Sequence, residues 1–194
     1  MHALAQCAHA DLPERRYGAN RWRSALNGLL PPAIRIMRCG FVPESFHARF
    51  SAKAKLYRYR VWNDEVLPPL ENNRAWHVRD AIDFKLVTTS TKLFVGRHDF
   101  SSFAANRGAP VADTVRTLRR VTVRKSGPLL TFDFEGDGFL YKMVRLIVGS
   151  LVHVGVGKTS ANEIEARVAH PARAITRARN VAPAGGLFLV RVRY

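Results

Sequence analysis

The chain has 194 residues, 47% of them hydrophobic, and 31 basic side chains against 15 acidic ones, for a net charge of +16. That length supports one domain, or two small ones sharing a sheet, with a real core. The charge excess is too large for a neutral surface and points to a polyanionic partner, nucleic acid or an acidic membrane surface.

The first nine residues lack the basic start and long apolar core of a secretory signal. Cys7 and Cys39 have no paired spacing and read as reduced thiols, which fits a cytoplasmic location. Residues 21–30 read as a helix, ended by Pro31-Pro32. Ile34 to Cys39 reads as a strand. Residues 46–62 alternate and carry Phe46, Phe50, Tyr57, Tyr59 and Val61, which predicts strand in two pieces. Residues 64–80, with Pro68-Pro69 and Asn72-Asn73, read as irregular. A helix is predicted from Asp83 to Phe94, with Gly96 as its stop. His98-Asp99 follows and reads as a turn or helix cap.

Thr114 to Lys125 and Leu129 to Phe134 predict a hairpin with the three-residue loop Ser126-Gly127-Pro128. Residues 139–155 read as a helix apolar nearly all round, and such a helix is normally buried. The run is too short for a membrane span, which needs roughly 20 apolar residues, and it carries Lys142 and Arg145, so no membrane is expected. At a spacing of three, those two cations fall on one helical face. Arginine is rarely fully buried without a partner. Arg145 therefore needs a carboxylate or phosphate, or a cleft; the alternative is a place at the rim, with its stem snorkelling to water. Ser160 with Glu163 has the pattern of a capping box. Gly185-Gly186 precedes a final alternating strand, Leu187 to Tyr194. The seven histidines form no close ligand pair, so no metal is expected. The whole predicts α+β, with mostly antiparallel sheet and helices on one face.

Three blocks carry a family resemblance. They are Phe46-His47-Ala48-Arg49-Phe50-Ser51-Ala52 running on to Leu56-Tyr57-Arg58-Tyr59, then Gly96-Arg97-His98-Asp99-Phe100-Ser101-Ser102-Phe103, and Phe139-Leu140-Tyr141-Lys142-Met143-Val144-Arg145 through Gly149-Ser150-Leu151. In this order, with the ending Ala182 to Val190, they resemble the TruA-type tRNA pseudouridine synthases over essentially the whole chain. The resemblance implies a pseudouridine synthase-like fold and a homodimer. It also implies isomerisation of uridines 38 to 40 in the tRNA anticodon stem-loop, without cofactor or metal. In the family an aspartate attacks the nucleoside, the glycosidic bond breaks, the uracil turns, and a carbon–carbon bond forms. The target base must leave its stack to be reached.

Tyr57 falls on the family's tyrosine that packs on the target uracil and takes part in its proton transfer; read from the strand pattern alone it is an ordinary strand aromatic. Arg145 falls on the arginine that pairs with the catalytic aspartate. Arg49, Arg58 and Lys142 are the further substrate-binding candidates, since arginines interleaved with aromatics suit phosphates and base faces. Solvation of a sheet edge is the plainer reading of the arginines. Tyr57 and Arg58 cannot face the same side of a regular strand.

The nucleophilic aspartate belongs to the family motif Gly-Arg-Thr-Asp-Ala-Gly-Val-His-Ala. Here His2-Ala3-Leu4 matches the end of that motif, and Met1 stands at its valine. The motif aspartate would lie three residues before Met1. Asp11, Asp99 and Asp137 are not at motif positions. The expectation is an N-terminally truncated chain, with residues 1–45 the remnant of an incomplete N-terminal subdomain and residues 46–194 a C-terminal α/β subdomain bearing the cleft face. A GTG codon called as a start in a GC-rich genome would produce this, as would true truncation. As written the chain is expected to be inactive, and the alternative is a catalytically dead tRNA- or RNA-binding module. A basic structural protein of a ribonucleoprotein is a third reading, under which Arg145 in a buried helix has no explanation.

Overall fold

The computed structural model describes residues 1–12, 17–105, 113–171 and 180–194. The chain divides into two compact units, one of Met1–Gln6 with Ala52–Tyr194 and one of Cys7–Ser51. The fold is α+β, with a mostly antiparallel sheet.

In the larger unit the strands are β1 (His2–Ala3), β2 (Ala54–Asn63), β3 (Trp76–Val78), β4 (Gly96–Asp99), β5 (Val115–Ser126), β6 (Leu129–Gly136) and β7 (Leu187–Arg193). Their order across the sheet is β1-β7-β2-β6-β5-β4, with β3 beside β2. The two parallel pairs are β1 with β7 and β2 with β3.

The core follows from alternation. Tyr59, Val61, Leu130, Phe132, Phe134, Val121 and Val123 occupy alternate strand positions and point to one face. Helices α2 (Phe84–Thr91), α3 (Met143–Gly155) and α4 (Ala161–Ala169) contribute Val87, Ile147, Leu151 and Ile164 to the same core. Each such side chain, fully buried, is worth about 1.5–3 kcal/mol.

Two β-bulges change the alternation. In the β2–β7 pairing Leu56 faces Arg191 but Tyr57 faces Leu189, so Val190 is an extra residue. In the β5–β6 pairing Leu118 faces Gly136 but Arg120 faces Glu135, so Arg119 is extra. An extra residue re-aims every side chain beyond it.

Several elements differ from the sequence expectation. Residues 139–142 are not helical. Lys142 takes a left-handed conformation (φ 60°, ψ 6°), so α3 begins at Met143, and Lys142 and Arg145 do not share a regular helical face. His98 and Asp99 lie in β4 rather than in a cap; Asp99 instead accepts the Ser101 N–H at 2.9 Å. Gly96 opens that strand with φ 118°. The predicted helix 83–94 is capped by Asp83, which accepts the Leu86 N–H at 2.9 Å, and tightens to 3-10 geometry over Lys92–Phe94. The hairpin loop has two residues, because Ser126 pairs with Leu129; Gly127 turns it with φ 55°. Within the stretch read as irregular, Asn63 donates to the Val78 and Asp80 carbonyls and draws β3 alongside β2.

In the smaller unit α1 (Ala19–Leu29) forms as expected. Ile34 to Cys39 is not a strand. Asn27 accepts the Ile36 N–H at 2.8 Å and donates to its carbonyl at 3.0 Å, taking the groups a ladder would need. Residues 46–51 are not a strand either: Ser51 N–H donates to the His47 carbonyl, and Ser51 Oγ accepts the His47 N–H.

Candidate active site

Tyr57 and Tyr59 lie on the same face of β2, the face that the helices cover. Tyr59 is fully buried and donates its hydroxyl to the Pro183 carbonyl at 2.7 Å. Tyr57 is half-buried and meets Phe139 edge-on, with ring centroids 4.9 Å apart. Burial pushes both phenols above their ordinary value of 10.0. Both are therefore neutral at physiological pH, where Tyr57 can pack and hydrogen-bond but resists acting as a phenolate base.

Arg145 sits on the first turns of α3. Its Nε donates to the Ala182 carbonyl at 2.6 Å, and the Ala182 N–H donates back to the Arg145 carbonyl at 3.1 Å. Among the described residues no carboxylate forms an ion pair with it. The Ala182 carbonyl that it meets adjoins the Pro183 carbonyl held by Tyr59, so Arg145 lies on the same side of the sheet as Tyr57 and Tyr59.

Residues 180–182 lie along α3. Asn180 Nδ2 donates to His153 Nδ1 at 2.9 Å, and Ala182 meets Arg145. Between them, a Cβ on Gly149 would come within 1.8 Å of the Asn180 carbonyl oxygen. Only glycine allows that approach. A glycine inside an apolar helix was the available sequence signal for this contact.

Lys142 lies at the N-cap of α3, with its ammonium 5.3 Å from the Tyr141 ring centroid. Its left-handed backbone is uncommon for a non-glycine residue. The loop it ends is tied down by the Ala105 N–H, which donates to the Tyr141 carbonyl at 3.0 Å.

Arg58 points to the opposite face. It forms a two-pronged pair with Asp133, at 2.7 and 3.0 Å, and Arg124 reaches the same carboxylate at 2.8 Å. Arg49 belongs to the smaller unit, where its guanidinium lies 5.4 Å from the Phe50 ring centroid. The structure thus gathers Tyr57 and Arg145 on one side of the sheet and sends Arg58 to the other. Tyr59, Gly149, Ala182 and Asp133 are not among the site residues expected from sequence. Among the described residues no three His, Cys, Asp or Glu side chains gather as a metal site requires. No helix among them is long and apolar enough to cross a membrane.

A family model described as tRNA pseudouridine synthase matches residues 91–194. The tRNA pseudouridine synthase A of Methylacidiphilum infernorum is 39% identical over 194 residues, covering all of this chain and 75% of the relative. That of Acetivibrio thermocellus is 39% identical over all of this chain and 78% of its own length. That of Halalkalibacterium halodurans is 41% identical over 96% of this chain and 70% of its own length. With such identity along its whole length, and the tyrosine and arginine blocks on one side of an antiparallel sheet, the chain belongs to the tRNA pseudouridine synthase family.

Proposed function

We propose that the chain serves tRNA pseudouridylation, the isomerisation of uridines 38 to 40 of the anticodon stem-loop, as part of a cytoplasmic homodimer. The observation that carries this is the placement of Tyr57 and Arg145 over one face of β2, beside the loop that ends at Lys142. In this reading the Tyr57 ring packs on the flipped uracil and its neutral phenol hydrogen-bonds to the base. Arg145, anchored through Nε, keeps its other guanidinium nitrogens for the nucleophilic aspartate. Lys142 and Arg49 contact phosphate.

The 194 residues contain no copy of the aspartate motif, and without a nucleophile the glycosidic bond is not attacked. In this reading these 194 residues supply the binding of the target stem-loop. The second reading is a catalytically dead RNA-binding module. The codons in frame before codon 1 separate the two: Gly-Arg-Thr-Asp-Ala-Gly there supports the enzyme, and a stop codon supports the dead module.

Two measurements on the 194-residue protein test the reading. Pseudouridine at positions 38 to 40 of unmodified tRNA, scored by mass spectrometry, should remain at background; clear turnover would overturn the assignment of the nucleophile. Affinity for an anticodon stem-loop hairpin should exceed that for a scrambled hairpin, and Tyr57→Ala should erase the difference. Equal affinities in the unsubstituted protein would remove the substrate assignment.

A further inference from the structure

The face of the sheet away from the helices carries an ordered array of arginines. Asp133 is shared by Arg58 and Arg124. Two residues along β6, Glu135 is shared by Arg120 at 3.1 Å and Arg193 at 3.7 Å. The carboxylate side chains are only 10% and 15% exposed, whereas those of Arg120, Arg124 and Arg193 are 54%, 64% and 55% exposed. The acids therefore lie beneath and the guanidiniums project outward. Arg191 is exposed beside this array, opposite Leu56, which in turn faces Glu135.

Both bulges serve this arrangement. Leu118, Val121 and Val123 face the core, and only the extra residue Arg119 lets Arg120 and Arg124 point the other way. Leu187 and Leu189 face the core, and only the extra residue Val190 turns Arg191 and Arg193 to the open face. Bulges that re-aim side chains are built features of a sheet rather than defects.

We propose that this arginine face is a second RNA-contacting surface, which takes the phosphodiester backbone of a structured RNA away from the Tyr57–Arg145 site. Each shared carboxylate holds two planar guanidiniums in fixed positions, and one positive charge per triad is left over. Fixed guanidinium forks match phosphate oxygens. A second copy of this chain would bring the same positive face against itself, which charge disfavours. The proposal rests on the RNA-substrate reading above and extends it to a part of the RNA outside the target loop.

The test is salt-dependent binding of full-length tRNA by the 194-residue protein and by the triple variant Arg120→Gln, Arg124→Gln, Arg191→Gln. Asp133 keeps Arg58 and Glu135 keeps Arg193, so neither acid is stranded. Each lost phosphate contact should reduce the slope of log K against log salt by about 0.7–0.9, so the triple variant should lose roughly 2 units. Arg191→Glu alone, at a side chain outside the ion pairs, should weaken binding in the same direction if the triple variant does not fold.

Unchanged slope and affinity in a folded triple variant, or in Arg191→Glu, would overturn the proposal. So would variants that lose only binding to phosphatidylserine-containing vesicles, which would mark a membrane-facing surface. A reduced slope together with equal affinity for target and scrambled hairpins would support the face while removing the uridine-recognition reading. The two failures are thereby distinguishable.

Discussion

Arg145 and Ala182 hold each other by two hydrogen bonds of opposite sense: Arg145 Nε donates to the Ala182 carbonyl at 2.6 Å, and the Ala182 N–H donates to the Arg145 carbonyl at 3.1 Å. The guanidinium is thus oriented by backbone before any acid or phosphate meets it. Tyr59 adds a bond to the next carbonyl, that of Pro183. A charged group fixed in this way needs little reorganisation when its anion arrives.

Arg145→Met should therefore destabilise the isolated chain modestly. The methionine retains apolar stem packing but leaves the Ala182 carbonyl without its side-chain donor. Stranding a part-buried acceptor costs about 1–3 kcal/mol. Urea unfolding of the variant against the unsubstituted chain measures it. A stability gain would mean that desolvation of the arginine outweighs its bond to Ala182.

Gly149→Ala should be worse, although alanine is ordinarily the better helix former. Its Cβ would meet the Asn180 carbonyl at 1.8 Å, and backbone atoms cannot swing aside as a flexible side chain would. Overpacking of this kind costs about 1–3 kcal/mol and sometimes more. The thermal midpoint should fall, and the amides of residues 180–182 should lose protection from exchange. A variant as stable as the parent would show that this segment does not lie against α3.

His153 supplies a pH dependence. Burial, and then the nearby Lys158 charge, hold its pKa below the ordinary 6.5. Its Nδ1 also accepts a bond from Asn180 at 2.9 Å, which requires that nitrogen to be unprotonated. The native state therefore binds this proton less readily than the unfolded chain. The contribution to stability is fully present above pH 6.5 and is lost as pH falls through the lower native value. An NMR titration should find the ring titrating below 6.5, with a parallel loss of stability on the acid side that His153→Gln removes. Titration at or above 6.5 would contradict the geometry.

The two units should differ in protection from hydrogen exchange. None of the described residues of Cys7–Ser51 is buried, and Leu29, Met37 and Phe50 are 86%, 75% and 74% exposed. The larger unit buries a continuous core. Amides of residues 7–51 should exchange far faster than those of β2, β5, β6 and α3, because local opening there uncovers little apolar surface. Uniformly high protection across residues 7–51 would show that this unit is covered in solution.

Local signals in the sequence were sufficient for the two hairpin strands but not their loop length, for a buried helix within residues 139–155 but not its start at Met143, and for the Ser160 cap and the final strand, because periodicity and turn chemistry act over a few residues. The family blocks also single out Tyr57 and Arg145, whose roles remain the proposal made above. Local signals failed where side chains compete with ladders for backbone groups: Asn27 unmade a strand at Ile36, and Ser51 unmade one at His47. They failed again where a single residue shifts register. Whether Arg191 and Arg120 face core or solvent depends on the bulges at Val190 and Arg119, which form only when β7 and β5 meet their partners. The tie between Arg145 and Ala182, across 37 positions, and the sharing of Asp133 by two arginines are likewise properties of the assembled sheet. Alternation and capping are written into neighbouring residues, whereas strand register and close backbone contact arise only from the packing of distant segments.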